Sequence, residues 1–150
     1  MNILINQKNE NFSFCGQITP ADIEHIKLLG FKTIINNRPD NEGGEQQPKS
    51  CALKAIAEDA GLSYAYIPVI PSNMTEQNIS QYQAVINSSP MPILGFCRTG
   101  NRAVTIYERA SSSQAGSSPI ESKKSIGIIN DFFKNKCLVT KLLRKLSFIK

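Results

Sequence analysis

Short apolar runs and longer stretches of helical period alternate along the first 110 residues. Phe12 to Cys15 has strand character and closes at Gly16. Thr19-Pro20-Ala21-Asp22 carries helix-start chemistry: a hydroxyl at the N-cap, proline at the first helical position and a carboxylate in the first turn. Ile23, Ile26 and Leu29 then share one face, with Gly30 as the stop. Phe31 to Asn36 (FKTIIN) is short and β-branched, hence a strand. The stretch NRPDNEGGEQQP after it is a loop by its composition.

Lys49 to Ala60 returns to a helical period, with Leu53, Ile56, Ala57 and Ala60 on one face and Gly61 ending it. Tyr64 to Val69 is a further strand. After the turn Pro71 to Thr75, either Ser72 or Thr75 caps a helix through Asn87 that turns Ile79, Tyr82 and Ile86 inward. Pro92 to Phe96 (PILGF) is an apolar run of the kind that fills a central strand buried on both faces. Arg102 to Ala110 is the last helix of this region. Strands alternating with helices predict an α/β domain, a small and mostly parallel central sheet flanked by helices. Sites in such sheets form beyond the carboxyl ends of strands, where a loop enters a helix, and Cys97 occupies that position.

A chain of 150 residues holds one ordinary core, and 41% hydrophobic with 19% charged residues places it in the globular class. The expected organisation is a domain over 1–110, a linker over 111–124 that opens with SSSQAGSSP, and a basic amphipathic helix over 125–150. The net charge of +5 belongs to that last part: eight Lys/Arg against Glu121 and Asp131 leave the first 120 residues near −1. Three roles are open for it: completing the domain, meeting an anionic membrane surface, or leading into a fused partner domain. Without interleaved aromatic residues, nucleic-acid binding is not expected.

The N-terminus has neither the basic start nor the apolar core of a secretory signal, and no apolar run approaches the ~18 residues of a membrane span. The expected setting is therefore cytoplasmic and reducing, where a reactive thiol stays usable. Cys15, Cys51, Cys97 and Cys137 form no CxxC pair and no Cys/His cluster, so neither a metal nor another cofactor is expected. Cys51 is the candidate to resolve a disulfide with Cys97. His25, the only histidine, lies off the apolar face of its helix, which leaves no base for a protease-like Cys–His pair.

Chemistry concentrates in Cys97-Arg98-Thr99-Gly100-Asn101-Arg102. A helix N-terminus and neighbouring cations bring a thiol pKa from ~8.5 into the ~3.5–7.5 range. Gly100 permits a backbone that turns successive N–H groups inward as an anion nest. Arg102 offers a planar fork for a tetrahedral oxyanion. Arg98 adds charge, Asn101 is placed to fix the loop by side-chain hydrogen bonding, and Thr99 to stabilise the thiolate or leaving sulfur. The loop is thus a candidate thiolate nucleophile in an oxyanion cradle.

Three segments, CGQITPADIEHIKLLGFKTIINNRPD (15–40), YIPVIPSNMTEQNI (66–79) and CRTGNRA (97–103), together resemble the bacterial beta-lactamase-hydrolase-like phosphatase domain, a small relative of dual-specificity cysteine phosphatases. The resemblance covers about residues 10–110. It implies the phosphatase-like fold, Cys97 as nucleophile, Arg102 as phosphate-binding arginine, and the motif 35–40, with Arg38 and Asp40, beside the site. The chain also departs from the cysteine-phosphatase pattern. Four residues rather than five separate Cys97 from Arg102, as in the Cys-Arg-x-Gly-x-Arg loop of rhodanese-type sulfurtransferases. Phe96 replaces a common histidine, and Pro71-Ser72-Asn73 stands where a general-acid aspartate is common. Asp40 and Glu76 are the candidates to replace that acid.

Three functions follow as expectations. The first is hydrolysis of a small phosphorylated substrate through a Cys97 thiophosphate. The second is transfer of sulfane sulfur through a Cys97 persulfide, which needs no acid. The third is non-catalytic binding of an oxyanion or phosphorylated partner.

Overall fold

The computed structural model describes residues 3–112; the serine-rich stretch beyond Ser112, the basic segment and Cys137 lie outside the described residues. Five strands, β1 (Ile5–Gln7), β2 (Phe12–Cys15), β3 (Thr33–Asn36), β4 (Ser63–Tyr66) and β5 (Ile93–Phe96), form one sheet in the order β1-β2-β5-β3-β4. All neighbours are parallel except the β1–β2 pair. The mostly parallel α/β sheet expected from the alternating pattern is therefore present, with β5 at its centre.

Side chains alternate across the pleat and build two cores. Ile34, Leu94 and Phe96 face α1 (Ile23–Leu28) and α2 (Ser50–Asp59), whose Ile23, Ile26, Leu53 and Ala57 are buried there. Phe12, Ile35 and Ile93 face α3 (Glu76–Ser88) and α4 (Asn101–Ser112), packing against Ile79, Tyr82, Ile86, Ile106 and Ala110. Being covered on both faces, β5 reads as a continuous apolar run (burial throughout Ile93–Phe96) rather than an alternating one.

The differences from expectation are local. β1 went unpredicted: it has three residues, and its turn into β2 is closed by a side chain, Asn9 Oδ1 accepting from the amides of Asn11 and Phe12 at 2.9 Å each. The start at Thr19-Pro20 is a 3-10 turn (Pro20–Asp22), with the Thr19 amide donating to Asp22 Oδ2 at 2.8 Å before α1 begins. Leu29, expected to point inward, is 52% exposed because α1 stops at Leu28. Beyond β4 the chain leaves the ladder yet stays tied to β3, through Ile67 N–H to Asn36 O at 2.9 Å and Val69 N–H to Asn37 O at 3.1 Å. Ser72 has φ 63° and Thr75 is the α3 cap, accepting from the Asn78 amide at 3.2 Å. Ser111 and Ser112, expected in the linker, still belong to α4, where Ser112 Oγ donates to Arg109 O at 3.1 Å. No helix among the described residues is long and apolar enough to cross a membrane.

Gly95 sets how closely α4 approaches the central strand. A Cβ there would lie 2.8 Å from Phe12 Cζ and 3.3 Å from the Cβ of Ala103 in α4. The Phe12 ring is itself held, stacked on Tyr107 of α4 with centroids 3.9 Å apart. Gly95→Ala should therefore overpack this contact and cost about 1–3 kcal/mol. Thermal unfolding should fall by roughly 4 °C or more; an unchanged midpoint would show slack between α4 and β5.

Candidate active site

Cys97 follows the last residue of β5, and α4 begins at Asn101, so strand and helix bracket a four-residue turn that opens with Cys97. Gly100 makes the turn feasible with φ +95°. A Cβ at that position would also meet Phe14 Cδ2 at 3.0 Å and Cys15 O at 3.1 Å, so both conformation and space demand glycine. The Gly100 amide donates to Cys97 Sγ at 3.1 Å. Burial pushes the Cys97 thiol up, but the backbone amides of Thr99, Ala103, Arg102 and Gly100 act together to bring it below its ordinary value. The residue has no exposed surface.

Arg102, in the first turn of α4, is fastened on two sides. Its Nη1 donates to Val69 O and pairs with Glu42 Oε1, both at 2.8 Å, while Nη2 donates to Glu42 Oε2 at 2.8 Å. Those contacts take the end of the guanidinium, and the side chain also hydrogen-bonds the Cys97 sulfur, so the charge sits against the thiol. Burial tends to lower the pKa of Arg102, but Glu42 and then the Cys97 sulfur raise it, keeping the charge firmly in place.

The same Glu42 carboxylate accepts from Arg38 Nε at 2.8 Å. Arg38 is buried, its Nη1 donating to Gln17 Oε1 at 2.8 Å. Glu42 thus bridges two arginines, and Arg102, seconded by Arg38, holds its carboxyl below the usual carboxylate range despite some burial. The loop that carries it is stitched down: Asn37 N–H donates to Phe96 O at 2.8 Å, Gly43 N–H to Gln47 Oε1 at 2.7 Å, and Gln47 Nε2 to Pro39 O at 2.8 Å. Sequence reasoning missed Glu42, Gln17 and the Val69 carbonyl. Only Glu42 left a trace, four residues after Arg38 in an acid-rich loop.

The remaining expected residues separate. Arg98 is exposed, and its carbonyl accepts from the Gln17 amide at 3.3 Å. Thr99 contributes its amide to the sulfur while its side chain is exposed. Asn101 is exposed too; its carbonyl accepts from Thr105 Oγ1 at 2.8 Å, and its side chain makes no loop-fixing bond among the described residues. Asp40 Oδ1 accepts from the Ser50 amide at 2.8 Å and its own amide donates to Tyr66 Oη at 2.9 Å, which gives this carboxylate a capping role at the start of α2. Glu76 lies exposed in the first turn of α3. Cys51 is exposed on α2, and Cys15 is the cysteine that the charge of Cys97 reaches. Burial first, then Asp22 and Cys97, push its thiol up to about 12. Among the described residues no three His, Cys, Asp and Glu side chains cluster as metal ligands.

A mostly parallel sheet ending in a cysteine turn that feeds an arginine-bearing helix defines a phosphatase-like α/β domain. Residues 5–117 match the model of the phosphatase-like domain of beta-lactamase hydrolase-like proteins, and the chain belongs to that family. It is 37% identical over 99 residues to the beta-lactamase hydrolase-like protein of Agrobacterium fabrum, covering 66% of this chain and 23% of that protein. The Xylella fastidiosa protein of the same description is 35% identical over the same proportions. The chain thus spans about a quarter of the length of these curated relatives. Among solved structures, a phosphatase candidate from Neisseria meningitidis is 32% identical with TM-score 0.66, covering 76% of this chain and 80% of that one. TpbA of P. aeruginosa shares the fold alone, at 14% identity and TM-score 0.51 over 76% of this chain and 66% of that one.

Two measurements test the electrostatics. Thiolate absorbance, taken as the difference from Cys97→Ser, should rise at a pH below the ordinary thiol range, and Gly100→Ala should move the rise upward. A carboxyl held below its unfolded value stabilises the fold above that value and stops doing so as pH falls through the folded one. The stability gap between wild type and Glu42→Gln should therefore be full at neutral pH and close in acid; a gap independent of pH would remove the ion pairs from the account.

Proposed function

We propose that the chain is a cysteine-dependent hydrolase of phosphomonoesters, with Cys97 as nucleophile. The observation that supports this most is the inward turn of four backbone amides onto one buried sulfur, which favours the thiolate against the cost of burial. In the proposed reaction Cys97 Sγ attacks phosphorus, the bond to the ester oxygen breaks, and a cysteinyl phosphate forms. The same amides, with the Arg102 guanidinium, take the charge on the phosphoryl oxygens. Water then attacks phosphorus, the S–P bond breaks, and inorganic phosphate leaves as the thiolate returns. Because Cys97 is buried in this conformation, the ester reaches it only as the groups around the sulfur yield.

The leaving oxygen is the weak point. Of the two candidate proton donors, Asp40 shares its carboxylate with the Ser50 amide and Glu76 lies exposed in the first turn of α3, while Glu42 is held ionised by its arginines. Protonation by a side chain is typically worth ~10²–10⁴-fold, so esters of acidic alcohols are the substrates this site handles best. The same observation favours one second reading, sulfur transfer. There the thiolate takes the sulfane sulfur of thiosulfate, sulfite departs without needing a proton, and the Cys97 persulfide passes its sulfur to a thiol.

The full chain should release phosphate from aryl phosphates far faster than from alkyl phosphates. Cys97→Ser should lose on the order of 10³-fold or more, and Arg102→Lys roughly 10²-fold. Equal rates in wild type and Cys97→Ser would sink the proposal. Thiocyanate production from thiosulfate with added cyanide, or sulfide production with an added thiol, without phosphate release, would put the second reading in its place.

A further inference from the structure

We infer that Asn37 sets the anion specificity of the cradle: its side-chain oxygen accepts from an O–H on the bound oxyanion. The site therefore selects phosphates and phosphonates that carry a proton over anions that carry none, such as sulfate. This deepens the phosphatase reading, because it concerns the anion that Cys97 and Arg102 receive.

Asn37 directly follows β3 and stands beside Cys97, which directly follows β5. Asn36 and Phe96 are register partners, and the Asn37 amide donates to Phe96 O at 2.8 Å. Alternation of the pleat carries Asn37 to the face of Ile35, the one that α4 covers. The residue has no exposed surface. Its Nδ2 donates to Ile67 O at 2.9 Å, on the β4 side of β3. A carbonyl only accepts, so this bond identifies the nitrogen, and the other arm of the planar amide turns towards β5 and the cysteine. That arm, Oδ1, has no donor among the described residues. A buried acceptor without a partner is costly, and it gains most from a ligand that brings the missing hydrogen.

The groups turned on the Cys97 sulfur are all donors: the amides of Thr99, Gly100, Arg102 and Ala103, and the Arg102 guanidinium. They suit the bare oxygens of phosphate and sulfate alike. Only Oδ1 tells the two apart. A P–OH gives it a hydrogen bond, whereas a sulfate oxygen meets it lone pair to lone pair. Charge points the same way. The Cys97 thiolate and Glu42 already balance Arg38 and Arg102, so each further negative charge is uncompensated, and a proton on the ligand lowers that cost.

Calorimetry on the full wild-type chain at neutral pH would compare two pairs of like shape: phosphate against sulfate, and methylphosphonate against methanesulfonate. In each pair the member with an O–H should bind at least about tenfold tighter. Asn37→Leu keeps the bulk and removes the acceptor, and should bring both ratios to near one. Asn37→Ser, whose hydroxyl can also donate, should lower them too; a thermal melt of each variant verifies folding. Aryl phosphate turnover is followed alongside. Wild-type ratios near one, or ratios that neither variant lowers, would overturn the role of Asn37 and, with turnover intact, spare the phosphatase reading. Ratios that fall in the variants, with no turnover in wild type, would support Asn37 and overturn that reading. Failure of all four anions to bind would overturn the inference, whatever the turnover.

Discussion

The turn of main-chain amides onto the Cys97 sulfur is the contact that the rest of the domain serves. A thiol with no exposed surface ought to stay protonated, since burial penalises the charged form. It is brought down by N–H groups at 99, 100, 102 and 103, which point the same way because a helix starts there. That start is fixed in space by the fold. β5, at the centre of the sheet, delivers residue 97 to the carboxyl edge. Gly95 lets α4 settle against that strand, and Gly100 provides the one backbone angle that links the two.

A second layer keeps the cationic partner in place. Glu42 joins Arg38 and Arg102, and the loop that bears it is tied to β5, to Gln47 and to the first amide of α2. Arg102 is thereby committed along its terminal nitrogens before any ligand arrives. An arginine held this way gives up little side-chain freedom on binding, which lowers the entropic cost of recognising an anion.

The sequence made the architecture readable because its signals were local. Period-two and period-3.6 patterns, with Thr75, Gly30 and Gly61 as punctuation, placed the helices and four of the strands. The apolar run 92–96 disclosed which strand lies in the middle. Cys97, Gly100 and Arg102 were legible as one short motif. What stayed hidden depends on pairs distant in the chain: Glu42 meets Arg102 sixty residues away, and Val69 contributes only a carbonyl. The side chains of Arg98, Thr99 and Asn101 looked functional because they neighbour Cys97 in sequence, yet the turn points them outward. β1 escaped notice because three residues carry too little periodicity to register. Leu29 misled because the helical face continues on paper one residue past the helix itself.

Since the anion cradle is main chain, its chemistry does not belong to the side chains at 98, 99 and 101. Those positions are open to substitution without disarming the nucleophile, provided glycine stays at 100. A domain of this design can retune its rim, altering charge or bulk around the entrance, while the reactive centre beneath is inherited intact. Variation in what such relatives accept is then to be sought in the rim and in the walls leading to it, not in the amides that hold the sulfur.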